Sequence, residues 1–263
     1  MLKVSSRRFA NHAKVAVIGA GSGGVSVTSQ LYRSGKFAKD EIIVFDPSTE
    51  HWYQPSLTMI GGGVLGSEEY HIRKQEYKYL RRPMEEMIHE GVRHRKEAVV
   101  KINPEENRIS TPTQDFTYDY LVVSTGIELD LDRIPGMRSA LDDPKNPAGT
   151  IYSHKYVYKV LNLRNEFTGG KAIFMNPMQP IKCGGAPQKI MYLSDYEWRE
   201  KGLFFTTKFV SATPILFPAC MKFSDSLNAI CDERKIERSL GKTIQEIDGD
   251  NRIAIFKDNA TGQ

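Results

Sequence analysis

The chain has 263 residues, 40% of them hydrophobic, enough to bury the core of one large domain or two smaller ones. Its 36 basic and 32 acidic residues leave a net charge of +4, too balanced for a dedicated nucleic-acid binder, although a mildly basic surface suits anionic lipid. Cys183, Cys220 and Cys231 make no CxxC pair and no ligand cluster with the histidines, which argues against a disulfide framework and a metal site, and no apolar run approaches the roughly 20 residues of a membrane-spanning helix.

Residues Met1 to Ala13 hold Lys3, Arg7, Arg8 and two serines but no acid, the composition of a mitochondrial presequence. Then comes a βαβ pattern. A buried strand from Lys14 to Ile18 leads into Gly19-Ala-Gly21-Ser-Gly-Gly24, a helix to Ser34, and a second strand from Glu41 that ends in Asp46. A lone GxGxxG is weak, but strand, turn, helix, strand and terminal acid at this spacing predict a dinucleotide-binding unit. Gly19 allows the tight turn, Gly21 lets the backbone approach a pyrophosphate, and Gly24 lets the helix lie close on the sheet. The N–H groups of Ser22 and Gly23 face the phosphates, and Asp46 takes ribose hydroxyls.

The aromatics and proline of His51 to Pro55 and the glycines Gly61 to Gly63 suggest a segment folded over a flat cofactor. Tyr70 to Glu90 reads as a charged, amphipathic outer layer in which Pro83 opens a helix. Val92 to Ile102 and Arg108 to Thr117 are expected as a strand pair, with Ala98 where an adenine edge meets backbone groups. Tyr118 to Val123 is an apolar strand closing on Ser124-Thr-Gly126, a turn that brings backbone near the cofactor. The polar, proline-containing stretch from Asp142 to Pro147 is expected as the domain boundary.

Beyond it, Lys155 to Glu166 reads as a helix and Lys171 to Met175 as a strand that opens a second βαβ unit. Its turn lacks a second GxGxxG. Asn176 to Lys189 instead carries Pro177, Pro180, and a cysteine, Cys183, between Lys182 and Lys189, in a glycine-rich loop ahead of a helix over Ile190 to Lys201. Those features favour thiolate over thiol, although an isolated cysteine is often a small buried apolar residue. Phe223 to Glu237 reads as a further helix, and no acid pair or histidine is spaced as a general acid and base.

The His51 to Gly63 stretch, the Ser124-Thr-Gly turn and above all Lys182-Cys-Gly-Gly-Ala-Pro-Gln-Lys-Ile-Met-Tyr-Leu-Ser194 resemble the mitochondrial sulfide:quinone oxidoreductases, a branch of the flavin-dependent disulfide oxidoreductases. The resemblance runs from about Lys14 almost to the last residue. It implies an α/β fold, with a Rossmann-like FAD-binding domain over 14–142 and a degenerate NAD-domain-like unit over 148–263. It implies that Ser22 and Gly23 meet the FAD phosphates, that Asp46 holds the ribose, that Gln54 and Ala98 lie along the cofactor, and that Cys183 is one of two redox cysteines. The implied activity is oxidation of sulfide with electrons passing through FAD to ubiquinone, and sulfane sulfur passing from a cysteine persulfide to a small acceptor. The family's second redox cysteine, its Gly-Asp flavin motif and the C-terminal helices that seat it on the mitochondrial inner membrane are expected beyond Gln263. Two other readings stay open at this stage: a non-catalytic, truncated form of that enzyme, and an NADH-dependent flavoprotein.

Overall fold

The structure, a computed structural model, describes residues 11–65 and 80–262. These fall into two compact units, residues up to 53 with 80–127, and residues 54–65 with 128–262. In the first, β1 (His12–Ile18), α1 (Ser22–Arg33) and β2 (Ile42–Phe45) form the expected βαβ unit, the strands pairing in parallel from Val15–Ile42 to Ile18–Phe45. Ala13, Ala16, Ile18, Ile43 and Phe45 are buried in one apolar cluster, and Val15, Val17, Ile42 and Val44 in another. A parallel strand covered on both faces needs apolar side chains at every position, which is why these runs are continuous and not alternating. His12 and Ala13 already belong to β1, so a leader ending at Ala13 would cut into the sheet; residues 1–10 of that leader lie outside the described residues.

After β2 come β3 (Glu50–Trp52), α2 (Pro55–Gly61), β4 (Arg81–Pro83) and α3 (Met84–Met87), with β3 and β4 paired antiparallel. The first part of the charged stretch expected from Tyr70 to Glu90, residues 70–79, lies outside the described residues. The stretch expected as one strand from Val92 to Ile102 is two. β5 (Arg93–Arg95) pairs in parallel with β2, whereas β6 (Lys101–Asn103) pairs antiparallel with β7 (Arg108–Ser110) at the opposite edge. The break falls where the Glu97 N–H turns back to the Arg95 carbonyl at 2.8 Å. Arg108 to Thr117 divides too: β7 turns through Thr111–Gln114 into β8 (Asp115–Val123), giving the sheet order β5-β2-β1-β8-β7-β6.

The second unit contains α4 (Met137–Asp142), α5 (Val157–Glu166), β9 (Gly170–Asn176), α6 (Ala186–Glu200), β10 (Phe205–Ser211), α7 (Met221–Glu233), β11 (Glu237–Leu240), β12 (Lys242–Asp248) and β13 (Ile253–Asp258). β9, β10 and β11 make a parallel sheet in the order β11-β10-β9, and β12 and β13 a hairpin. Helix α6 begins four residues earlier than expected, because Pro187 sits in its first turn, where a missing N–H leaves no bond unmade. Helix α7 ends earlier than expected, and Glu237 opens a strand.

Two expectations move to this unit. The proposed boundary at 142–147 lies inside it: the Asp142 carboxylate accepts the Tyr156 hydroxyl at 2.8 Å and the Lys155 ammonium at 2.6 Å, and Lys159 Nζ donates to the carbonyls of Ala140, Leu141 and Asp143. The segment therefore staples α4 to α5 and does not separate domains. The glycines after α2 are likewise packing residues. A Cβ at Gly61 would lie 2.8 Å from Ile151 Cγ2, and one at Gly62 2.5 Å from Leu193 Cδ1. Gly63 is pressed against the Arg164 guanidinium, which pairs with Glu197 and which burial pulls down to about 10.

Candidate functional site

In the first unit the glycine turn lies at the C-terminal ends of β1 and β2, where a parallel sheet binds nucleotides. Gly19 has φ +95, a conformation L side chains rarely adopt, and its N–H donates to the Phe45 carbonyl at 2.8 Å. A Cβ there would lie 2.5 Å from the Ser124 carbonyl oxygen. The Ser124 hydroxyl in turn donates to the carbonyls of Gly19 at 3.2 Å and Ile18 at 3.3 Å. The Ser124-Thr-Gly126 turn therefore clamps the glycine turn from the end of β8. Gly24 lies so close to the Gly19 carbonyl that any side chain would overlap it, which seats α1 on the sheet.

Gly21 differs from these two. It is exposed, and a Cβ on it would meet nothing within 4 Å, so neither packing nor backbone conformation requires glycine there. It caps α1 without a side-chain hydrogen bond, and Ser22 and Gly23 behind it are exposed as well. The first N–H groups of a helix have no intrahelical acceptor, so this open, uncapped end fits a diphosphate. Gly126, exposed with φ +69, also has open space around its Cα.

Asp46, half-buried just past β2, accepts the Ala20 N–H on Oδ2 at 2.7 Å and the Ser48 N–H on Oδ1 at 2.8 Å. Each carboxylate oxygen has a second acceptor direction, so the residue braces the turn and still offers acceptors to a ribose. Gly19, Gly21, Ser22, Gly23, Gly24, Asp46 and Gly126 thus gather on strand ends of one sheet. Ala98 belongs to the same unit and is exposed after β5. Gln54 is the exposed N-cap of α2 and belongs to the second unit.

In the second unit Cys183 is exposed, Cys220 half-buried and Cys231 buried, its sulfur 3.5 Å from the Tyr192 hydroxyl. The Cys183 loop follows β9 and runs into α6, whose N-cap is Gly185. The Tyr152 hydroxyl donates to the Cys183 carbonyl at 2.7 Å, and Lys182 Nζ donates to the Tyr152 carbonyl at 3.3 Å. Burial lowers the Lys182 ammonium, while burial and, second, the Cys183 charge raise the Tyr152 phenol. A Cβ on Gly185 would meet nothing within 4 Å, and one on Gly184 only Ile181 Cδ1 at 3.9 Å, so packing requires glycine at neither position. The braces Ser124 and Tyr152 were not legible in the sequence, since each acts on backbone far along the chain.

The pyridine nucleotide-disulphide oxidoreductase family matches residues 13–167. The mitochondrial sulfide:quinone oxidoreductase of Dictyostelium discoideum is 34% identical over 255 residues, covering 95% of this chain and 53% of that protein. The corresponding protein of Schizosaccharomyces pombe is 34% identical over 270 residues, covering 95% of this chain and 56% of that one. The chain spans about half the length of the curated relatives it matches. Among solved structures, the sulfide:quinone oxidoreductase of Aquifex aeolicus superposes with a TM-score of 0.71 at 20% identity, covering 97% of this chain and 56% of that one, which shows a shared fold. The cofactor is FAD, and the uncapped glycine turn with its acid fits an adenine dinucleotide of this kind. The chain belongs to the pyridine nucleotide-disulphide oxidoreductase family.

Proposed function

We propose that this chain serves the oxidation of sulfide, with electrons leaving through FAD to ubiquinone, in a mitochondrial sulfide:quinone oxidoreductase. The observation that carries the reading is the 34% identity to an enzyme of that name over 95% of the chain, beside a loop whose cysteine is exposed and followed by uncrowded glycines. An NADH-dependent flavoprotein is disfavoured by the same loop, because Pro177 and Pro180 remove N–H donors where a second nucleotide would need them.

Each unit has its own task. The first holds the cofactor: N–H groups at the start of α1 take the pyrophosphate, and Asp46 takes the ribose. The second presents Cys183. Hydrosulfide oxidised to sulfane sulfur loses two electrons and a proton, and a cysteine of the redox pair to which Cys183 belongs carries the sulfur as a persulfide until a small acceptor removes it. Tyr152, through its bond to the Cys183 carbonyl, fixes the loop that presents the thiol. When bound, FAD supplies the capacity to accept those two electrons and pass them to the quinone. A quinone partner suggests placement at the inner mitochondrial membrane; among the described residues no helix is long and apolar enough to cross one.

Anaerobic absorbance spectroscopy of the flavin-loaded protein tests this reading. Sulfide is expected to bleach the yellow flavin band and NADH to leave it unchanged. Bleaching by NADH and not by sulfide would establish the other reading.

A further inference from the structure

The glycine turn is braced by two histidines that no step of the proposed chemistry uses. His51, on β3, is 8% exposed, and its Nδ1 lies 3.3 Å from the Ala20 carbonyl oxygen. His94, on β5, places Nε2 3.1 Å from the carbonyl oxygen of Asp46. Its other ring nitrogen, Nδ1, is buried without a hydrogen-bond partner. A carbonyl oxygen only accepts, so each ring must donate from the nitrogen facing it. We infer that His51 and His94 are positioning residues of the flavin site, fixed in opposite tautomers: Nδ1–H on His51, to aim the peptide before Gly21, and Nε2–H on His94, to hold the backbone of Asp46.

Peptide geometry explains why these contacts matter for a phosphate. In a trans peptide the C=O and the following N–H point in opposite directions. Turning the Ala20 carbonyl toward His51 therefore turns the Gly21 N–H the other way, and Gly21 is exposed with open space at its Cα. The preceding peptide is fixed at both ends: the Ala20 N–H reaches Asp46 Oδ2, and the Gly19 carbonyl accepts from Ser124. Asp46 is held the same way on its main chain, its N–H donating to the Arg95 carbonyl at 3.1 Å and its C=O accepting from His94. The two histidines thus complete the bonding of a turn and an acid whose function is to meet a ligand with prearranged donors and acceptors. The buried, unpartnered Nδ1 of His94 supports its assignment, since a proton there would be a buried donor without an acceptor.

This inference rests on the flavin reading of the cradle, and its two arms separate the failures. In the flavin-free protein, ¹⁵N–¹H NMR of labelled histidines is expected to show the Nδ1–H tautomer at His51 and the Nε2–H tautomer at His94. The reverse at either residue overturns the assignment whether or not FAD binds. In FAD titrations followed by flavin fluorescence, His51→Phe and His94→Phe are expected to weaken binding about five- to tenfold, the effect of one lost hydrogen bond. The side-chain amide of Asn reaches the position of Nδ1 and that of Gln the position of Nε2. His51→Asn and His94→Gln should therefore recover affinity to within about twofold, whereas His51→Gln and His94→Asn should not. Equal affinity for Asn and Gln at both sites would mean that the rings only fill space, and would overturn the proposal.

Discussion

At the scale of single residues, the two kinds of glycine in the turn do different work, and substitution separates them. Gly21 stands in open space with φ −66, so an added methyl group meets no protein atom and strains no backbone. Gly21→Ala is expected to leave stability within about 0.5 kcal/mol while weakening FAD, since the methyl group occupies the ground a pyrophosphate would approach. Thermal unfolding and a flavin titration on the same variant check both halves; unchanged affinity would contradict the placement of the phosphates. Asp46→Ala should lose more, because it removes acceptors for the ribose and for the Ala20 and Ser48 N–H groups together. At about 1.5–3 kcal/mol for a hydrogen bond to a charged group, flavin retention should fall at least tenfold, against no change in the exposed control Glu105→Ala. The glycines and the acid were legible in the sequence because their spacing encodes a local turn. The Ser124, His51 and His94 contacts were not, because they join the turn to strands 31 to 105 residues away or to an acid 48 residues off.

At the scale of elements, hydrophobic pattern located β1, α1, β2 and β9, and in β1 and β2 the runs are dictated by burial. It mistook the stretch from Val92 to Ile102 for one strand, since the break after Arg95 is one that only the pairing partners reveal. The glycines after α2 were read as approaching a cofactor, but a glycine run fits close helix packing as well, and here side chains of the second unit occupy the space. Gly61→Val should overpack α2 against Ile151 and Val160 and cost about 1–3 kcal/mol in denaturant unfolding. Ile43→Ala in β2, at 0% exposure, should cost about 2–5 kcal/mol by leaving a cavity in the sheet's apolar layer. A loss below about 1 kcal/mol at Ile43 would mean that β2 is less confined than its burial indicates.

At the scale of the whole molecule, acid stability follows from a set of surface carboxyls held below their ordinary range. Asp142 is lowered first by its bond to Lys155 and then by Tyr156, Asp132 by Arg138, and Asp258 by Lys242 and the N–H groups of Ala260 and Thr261. A carboxyl with a lower value in the folded state stabilises the fold fully above its unfolded value, roughly 4, and loses that contribution as pH falls through the folded value. The unfolding temperature is therefore expected to drop as pH is lowered below about 4, and Asp142→Asn to make that drop shallower. An unfolding temperature that rises through the same range would contradict these pairings.

The proposed division of labour between the units, cofactor in one and thiol in the other, is tested most directly by sulfide titration of the flavin-loaded protein beside its Cys183→Ser variant. Serine keeps the size and polarity of the side chain but carries no persulfide. The account predicts equal flavin content in the two proteins, bleaching of the flavin band by sulfide in the one that has Cys183, and none in the variant. Bleaching that persists in Cys183→Ser would contradict it.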